Sequence, residues 1–133
     1  MRRWQIKAVS AVVGVLVLVA CGGNVSPEEQ ALLAAKGYYE HLLSGEYEDF
    51  LEGKAGADSL PADYREQLLA ACKQYVFKQR DEHGGIREIQ AGNATADTAK
   101  HVANAFLLLC YGDSTTEEIV VPMVERDGKW RMR

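Results

Sequence analysis

Glu125 is the carboxylate whose position in the chain best suits acid–base chemistry. It comes two residues before Asp127-Gly128, a dipeptide that favours a two-residue hairpin and would pair Glu125 with Trp130. Because side chains alternate along a strand, Glu125 falls on the same face as Val121 and Met123. A carboxyl group in an apolar pocket holds its proton more tightly and can act as a general acid or base. The alternative is that Glu125 emerges into water beside the hairpin.

The usual signatures of nucleotide-binding, metal-binding and hydrolytic sites are absent from the sequence. It contains no GxGxxG, P-loop, HExxH, CxxC or GxSxG motif. His41, His83 and His101 lie too far apart along the chain to form a local metal motif, although folding could gather them. We interpret His41 as a surface or rim residue, and we expect no metal ion and no cofactor.

Cys21 closes an apolar run that follows three basic residues at the start of the chain. A basic start, a short apolar stretch and small residues at its end are typical of a secretory signal. The run from Ala8 to Ala20 would reach only roughly 20 Å as a helix, less than the ~30 Å hydrocarbon core of a bilayer. Leu18-Val19-Ala20-Cys21 also looks like a bacterial lipobox, the motif at which a cysteine is lipidated and the chain is cut before it.

The lipobox divides the chain into a signal peptide (1–20), a lipid-anchored tether (21–26) and a single domain (27–133). Several lipid chains on one cysteine would make the anchor effectively permanent, since each buried CH₂ contributes ~0.8 kcal/mol. The five residues from Cys21 to Ser26 reach at most ~17 Å, so the domain would stay close to the bilayer. We therefore expect a bacterial cell-envelope protein whose membrane partner is reached through Cys21, on the periplasmic side of the outer membrane.

The net charge of the chain argues against two kinds of partner. Without residues 1–20, which carry three basic residues and no acid, 12 Lys and Arg face 19 Asp and Glu, a net charge near −7. This balance argues against nucleic acid, whose binding needs clustered cations, and against a second, electrostatic contact with anionic lipid.

Cys72 and Cys110 remain once Cys21 is lipidated. In an exported protein they could form a disulfide. Both also have apolar neighbours, and a free cysteine packs like a small hydrophobic residue. Both alternatives stay open from the sequence.

Three helices are predicted in the first half of the domain. Ser26, Pro27 and Glu29 suit the cap, the first position and the capping box of a helix that ends at Gly45. A short helix is then expected over 46–52, a loop over 53–60, and a third helix from Pro61 to Gly84-Gly85.

Strand alternation replaces helical periodicity after Gly85. Strands are predicted over 86–91, 100–111 and 117–126, with turns over 92–97 and 112–115, and a fourth strand follows Asp127-Gly128. The hairpin register places Val121, Met123, Trp130 and Met132 on the core face. The fold class is therefore α+β, with three helices packed on a four-stranded antiparallel sheet.

The strand that ends at Tyr111 is apolar on both faces. Phe106, Leu108 and Cys110 alternate with Leu107 and Leu109. Only one face can pack on the helices, so the other needs a cover. A second copy of the chain is the simplest one, and we expect a homodimer through this outer face.

Four short segments in this order resemble the nuclear transport factor 2-like superfamily, whose members fold as a cone of helices on a curved sheet. The segments are Ala35-Lys36-Gly37-Tyr38-Tyr39, Gly45-Glu46-Tyr47-Glu48-Asp49-Phe50, Gly112-Asp113-Ser114 and Asp127-Gly128-Lys129-Trp130-Arg131. The nearest likeness is to a domain of unknown function in short Bacteroidetes lipoproteins, and it covers nearly all of residues 27–133. The superfamily contains both enzymes and binding modules, so the resemblance implies a fold and not a reaction.

The resemblance implies that any pocket lies inside the cone. Its expected lining is Tyr38, Tyr39, Tyr75, Glu125 and Trp130. Aromatic residues at helical spacing also suit a plain packed core, and no second acid can be placed beside Glu125. The function expected from these observations is a non-enzymatic module that binds a ligand or a protein. The alternative is an isomerase or dehydratase that uses Glu125 with a pocket tyrosine.

Three turn segments resemble the O-glycosylation acceptor of exported Bacteroidetes proteins, an Asp followed by Ser or Thr and then an apolar residue or Thr. The acceptor hydroxyls would be Ser59, Thr98 and Ser114. Turns also select Asp, Ser and Thr for their own hydrogen bonds, so the pattern has a structural explanation as well.

Overall fold

The computed structural model describes residues 25–133, and these form one α+β unit. Three helices, α1 (Pro27–Leu43), α2 (Tyr47–Glu52) and α3 (Ala62–His83), come first. A meander of four antiparallel strands follows in the order 1-2-3-4: β1 (Ile86–Asp97), β2 (Val102–Tyr111), β3 (Thr116–Arg126) and β4 (Lys129–Met132). The predicted fold class is confirmed. The predicted signal segment and Cys21 lie outside the described residues. Within residues 25–133, no helix is long and apolar enough to cross a membrane.

The start of α1 is capped as the sequence predicts. The Ser26 hydroxyl accepts a hydrogen bond from the backbone N–H of Glu29 at 3.1 Å, and Pro27 occupies the first turn. After the helix, Gly45 adopts a positive φ of 79° that only glycine adopts without strain. One face of α1, which includes Ala31 and Ala35, is fully buried against the sheet.

The β3–β4 hairpin has the register that Asp127-Gly128 predicts. Arg126 pairs with Lys129, and Glu125 pairs with Trp130. Both turn residues have positive φ, 55° for Asp127 and 77° for Gly128, as a tight hairpin turn requires. The predicted core residues of the hairpin, Val121, Met123, Trp130 and Met132, are all buried.

The prediction that residues 92–97 form a turn is wrong. β1 runs through to Asp97, which pairs with Val102. A register shift between Ala91 and Ala94 shows that Gly92 lies in a β-bulge. A Cβ atom on Gly92 would lie 2.7 Å from the carbonyl oxygen of Phe106, so glycine permits close contact between the two strands. The chain reverses only at residues 98–101, and β2 starts at Val102.

The core lies between α1 and the inner face of the sheet. Its centre is the row Ala105, Leu107, Leu109 and Tyr111 on β2, each at most 1% exposed. At one side, the Tyr38 hydroxyl donates a hydrogen bond to the carbonyl oxygen of Trp130 at 2.7 Å. The Tyr38 ring covers Gly53, where a side chain would collide with it, so α1, β4 and the end of α2 are held together here.

α3 packs in a different way from α1. None of its 22 residues is fully buried, although Leu68, Cys72 and Tyr75 are half-buried. Pro61 precedes its first turn, and Gly84 ends it with a positive φ of 76°. The helix therefore covers an open space beside the core and does not embed in it.

Candidate functional site

A cavity of about 480 Å³ lies between the three helices and the inner face of the sheet. It is open to solvent on one side. Apolar and aromatic side chains make up most of its lining: Tyr39, Leu42, Phe50, Leu51, Leu68, Ala71, Cys72, Tyr75 and Ile119. Three polar side chains complete it, those of Lys54, Gln79 and Glu117. We call this space the inner cavity.

The spacing of residues on α3 explains one wall of the inner cavity. Leu68, Ala71, Cys72, Tyr75 and Gln79 recur at intervals of three or four, so they share one side of the helix. An apolar helix face of this kind is also typical of packing on a core. In the structure it faces the inner cavity.

Tyr111 and Glu117 form the shortest polar contact at the inner cavity. The Tyr111 hydroxyl donates a hydrogen bond to Oε1 of Glu117 at 2.6 Å. Burial, and then the hydrogen bond to Glu117, raise the pKa of Tyr111. Burial and the charge of Glu117 raise the pKa of Tyr75, and a hydrogen bond with Tyr111 acts in the opposite direction. Both phenols therefore keep their protons and serve as hydrogen-bond donors at neutral pH.

Tyr39 and Cys72 lie on the facing sides of α1 and α3. Burial is the main cause that raises the pKa of Tyr39, and the neighbouring Tyr75 and Cys72 add to it. The Tyr39 ring meets Phe50 edge to face at 5.3 Å. Burial also raises the pKa of the Cys72 thiol, against a smaller lowering by Lys54. Because only the thiolate is an effective nucleophile, Cys72 is poorly suited to covalent catalysis.

His83 packs against the Tyr111 ring, and Asp113 holds His83 in place. The imidazole of His83 stacks on the Tyr111 ring at 4.4 Å, and its Nδ1 lies 3.1 Å from Oδ2 of Asp113. The side chain and backbone N–H of Thr115, followed by His83, lower the pKa of Asp113 to about 2. A Cβ atom on Gly112 would lie 2.5 Å from the carbonyl oxygen of Gly84, so glycine lets the β2–β3 turn contact the end of α3.

Glu125 does not line the inner cavity. Its carboxylate lies 2.7 Å from Nδ1 of His101, and its side chain is 29% exposed. It borders a recess of about 240 Å³ with Trp130 and the start of α1. The structure therefore places Glu125 at the other end of β3 from Glu117.

The five predicted pocket residues separate into three places. Tyr39 and Tyr75 line the inner cavity, Glu125 and Trp130 line the recess, and Tyr38 binds the backbone of β4. Sequence reasoning missed Lys54, Tyr111 and Glu117. Strand alternation carries a signal for Glu117, because it lies four residues before Val121 and hence on the same face.

Cys72 and Cys110 are free thiols in the structure. Cys72 lines the inner cavity, whereas Cys110 alternates with the inward-facing Leu109 and Tyr111 and so points to the outer face. The two side chains lie on different sides of the sheet, so of the two alternatives left open by the sequence the structure has the free thiols.

The three glycosylation candidates lie on the surface. Ser59 ends the short 3-10 turn Ala57–Ser59, Thr98 lies in the β1–β2 turn, and Ser114 lies in the β2–β3 turn. All three are exposed. Their modification stays a prediction.

Two other features of the described surface bring polar groups together. A groove of about 550 Å³ beside the β3–β4 hairpin carries charges of both signs, among them Arg126, Asp127 and Lys129. His41, Glu46 and Asp49 bring one ligand atom each within 4.8 Å of one another at the end of α1. His41 Nδ1 already lies 2.8 Å from Oε1 of Glu46, and both acids are exposed. Polar and charged groups dominate both features, so neither has the apolar and aromatic lining of the inner cavity.

No protein-family model matches the chain, and no curated protein matches it. One similar solved structure is that of a Campylobacter jejuni protein proposed to be an NTF2-like transpeptidase, with 17% identity and a TM-score of 0.60 over 74% of this chain and 92% of that chain. Another is a SEC-C motif containing protein from Rhodopseudomonas palustris, with 8% identity and a TM-score of 0.45 over 74% of this chain and 71% of that chain. The first likeness and the helix–sheet architecture agree: the chain has the NTF2-like cone fold.

Proposed function

We propose that this protein is a lipid-anchored binding module of the cell envelope that holds a small, largely apolar ligand in the inner cavity. One observation carries the proposal: a cavity of about 480 Å³ is lined mainly by apolar and aromatic side chains with a few polar groups. Small-molecule sites in proteins have this composition and range over roughly 300–1,000 Å³.

The protonation of the cavity residues favours binding over turnover. The pKa values of Tyr39, Tyr75, Tyr111 and Cys72 are all raised, with burial as the largest cause. Neutral phenols orient a ligand by donating hydrogen bonds, whereas a general base must release its proton near the working pH. The alternative enzyme, which pairs Glu125 with a pocket tyrosine, has no support from the geometry because Glu125 borders the separate recess.

The lipid anchor would place the inner cavity on the side of the domain that faces away from the membrane, toward the periplasm. The tether ends at Ser26, which caps α1, so the start of α1 would face the bilayer. The inner cavity is lined by Tyr39 and Leu42, twelve or more residues along α1, which is roughly 18 Å at 1.5 Å per residue. The lipobox and the likeness to short Bacteroidetes lipoproteins support this arrangement.

The anchor is tested with Cys21→Ala. The variant should lose both processing and membrane attachment, so that alkaline washing releases it from membranes. If it still sediments with washed membranes, Cys21 is not the anchor.

The cavity is tested by protection of Cys72 in the full chain held in lipid nanodiscs. The probe is 8-anilinonaphthalene-1-sulfonate, which has an apolar body. It should slow the alkylation of Cys72, measured by peptide mass spectrometry. Ile119→Trp should fill the cavity and abolish this protection, while Val120→Trp, whose side chain points to the opposite face, should retain it. An alkylation rate that the probe leaves unchanged would refute the proposal.

The outer face of the sheet supports the proposal that the protein is a homodimer. Phe106 and Leu108 are only half-buried there, and Val120, which pairs with Phe106, is 52% exposed. Their polar neighbours include the uncharged Gln90 and Asn104 and the charged Glu118, which pairs with Leu108. An apolar centre with a polar and charged rim is typical of subunit interfaces, and a two-fold axis would bury the same patch on both copies.

A further inference from the structure

One row of residues crosses all four strands, with an acid at one edge of the sheet and a base at the other. Asp97 on β1 pairs with Val102 on β2, which pairs with Val124 on β3. Val124 in turn pairs with Arg131 on β4. The strand neighbours of these residues pack in the core, so the side chains of the row point to the outer face. We call these four residues the outer row.

The two charges of the outer row have no charged partner within the chain. Among residues 25–133, neither Asp97 nor Arg131 takes part in an ion pair. Oδ1 of Asp97 accepts the backbone N–H of Lys100 at 3.2 Å, and Nη1 of Arg131 donates to the carbonyl oxygen of Glu52 at 2.8 Å. Asp97 and Arg131 are three strand spacings apart, roughly 14 Å, and so do not pair with each other.

The two edges of the outer face carry opposite charge beyond the outer row as well. Arg131 has Lys129 beside it on β4, and Lys129 pairs with Arg126 on β3. On β1, Glu88 joins Asp97, because it pairs with the outward-facing Cys110. The β4 edge is therefore basic and the β1 edge acidic.

The apolar centre of the outer face lies between these edges, along the line where β2 meets β3. Val102 and Val124 pair across this line, and Phe106 pairs with Val120 four residues further along. A two-fold axis along the line exchanges β2 with β3 and β1 with β4. The outer face is therefore complementary to a second copy of itself, since valine meets valine and each acid meets a base.

We propose that two copies of the chain pack outer face to outer face about a two-fold axis parallel to the strands, with Asp97 of each copy bound to the partner's Arg131. This arrangement deepens the homodimer proposed above and rests on it. Stacked sheets lie about 10 Å apart with their strands within about 30° of each other. A long arginine side chain and a short aspartate side chain together span such a gap.

The position of the tether agrees with this axis. Pro27, at the start of α1, borders the same recess as Thr98 in the β1–β2 turn and Trp130 beside the β3–β4 turn. The tether therefore joins the domain at the end of the sheet that carries both turns. An axis parallel to the strands keeps this end on one side in both copies, so both anchors reach one bilayer. An axis across the strands would put the anchors at opposite ends of the dimer.

The test reverses each charge in the full chain and measures self-association in detergent by sedimentation velocity. Asp97→Arg and Arg131→Asp each replace two attractive pairs of the dimer by two repulsive ones. Each variant should self-associate more weakly by on the order of tenfold, or about 1.4 kcal/mol. An equimolar mixture of the two variants should dimerise like the wild type, because every pair then joins opposite charges again. The double variant Asp97→Arg/Arg131→Asp should also dimerise like the wild type.

Three control variants separate the proposed pair from other effects. Asp97→Asn keeps an acceptor for the Lys100 N–H and removes the charge, so it should weaken self-association less than Asp97→Arg does. Glu66→Arg and Lys73→Asp change the net charge by the same amounts at exposed positions on α3, on the other side of the sheet. These two variants should dimerise like the wild type.

The outcomes separate the arrangement from the homodimer and from the ligand-binding function. If the wild type dimerises and both single variants dimerise equally well, the homodimer stands and the arrangement is wrong. The arrangement is also wrong if the mixture stays monomeric, because the two charges then do not face one another. A monomeric wild type would refute the homodimer and the arrangement together, while protection of Cys72 tests the inner cavity independently of both.

Discussion

Removing the Tyr111 hydroxyl should cost less stability than removing its acceptor, Glu117. The hydrogen bond between them is 2.6 Å long, but Tyr111 is 1% exposed and Glu117 is exposed. In Tyr111→Phe the carboxylate left behind meets water, so the loss is limited to the net value of one hydrogen bond, about 1 kcal/mol. In Glu117→Ala a buried hydroxyl loses its acceptor, which costs about 1–3 kcal/mol.

Tyr75 must be included in this comparison, because it is close enough to Tyr111 to influence its pKa and its hydroxyl is a substitute acceptor once Glu117 is removed. The Glu117→Ala change is therefore measured in a Tyr75→Phe background as well, where the larger loss should appear in full. Urea unfolding at pH 7, followed by the fluorescence of the buried Trp130, gives the free energies. If Tyr111→Phe costs as much as Glu117→Ala in the Tyr75→Phe background, the buried hydroxyl does not depend on Glu117.

Three further predictions test the core, the acid response and the outer face. Leu107→Ala should lower the free energy of unfolding by about 2–5 kcal/mol, because the Leu107 side chain is completely buried. Leu33→Ala, where the side chain is 52% exposed, should lower it by about 0.5 kcal/mol or less. Equal losses for the two variants in urea titrations would contradict the burial of Leu107. The pKa of Asp113 is lowered from 3.8 to about 2, so its carboxylate stabilises the fold above pH 3.8, and this contribution is lost as the pH falls through about 2. Asp113→Asn should remove that part of the acid-induced loss of stability, and an unchanged profile would show that Asp113 plays no part in it. Val120→Glu should convert a dimer of the full chain in detergent to monomers in sedimentation experiments; a wild-type chain that is monomeric at high micromolar concentration would refute the dimer.

The hairpin register followed from sequence because local chemistry determines it. Asp127 and Gly128 both need positive φ, and a two-residue turn admits one pairing of the flanking strands. Gly92 shows where the same reasoning fails. A glycine suits a turn, but it also suits a bulge, and the choice depends on the neighbouring Phe106 backbone, fourteen residues further along the chain.

The candidate site was harder to predict than the fold for a related reason. Alternation along β3 puts both Glu117 and Glu125 on the inner face, so periodicity alone does not distinguish them. What separates them is which end of the strand lies beneath α3, and this depends on long-range packing. Lys54 gave no periodic signal at all, since it follows a six-residue helix in a loop.

No residue of α3 is fully buried, so this helix should unfold locally more easily than the rest of the fold. Amide hydrogen exchange through local unfolding is fastest where few apolar side chains are withdrawn from water. The amides of α3 should therefore exchange at a lower free energy than those of β2, whose inner row is completely buried. A molecule held beneath the helix would bind only its closed form and would slow its exchange by mass action. Under the proposed function, local opening of α3 and ligand binding in the inner cavity would therefore be coupled.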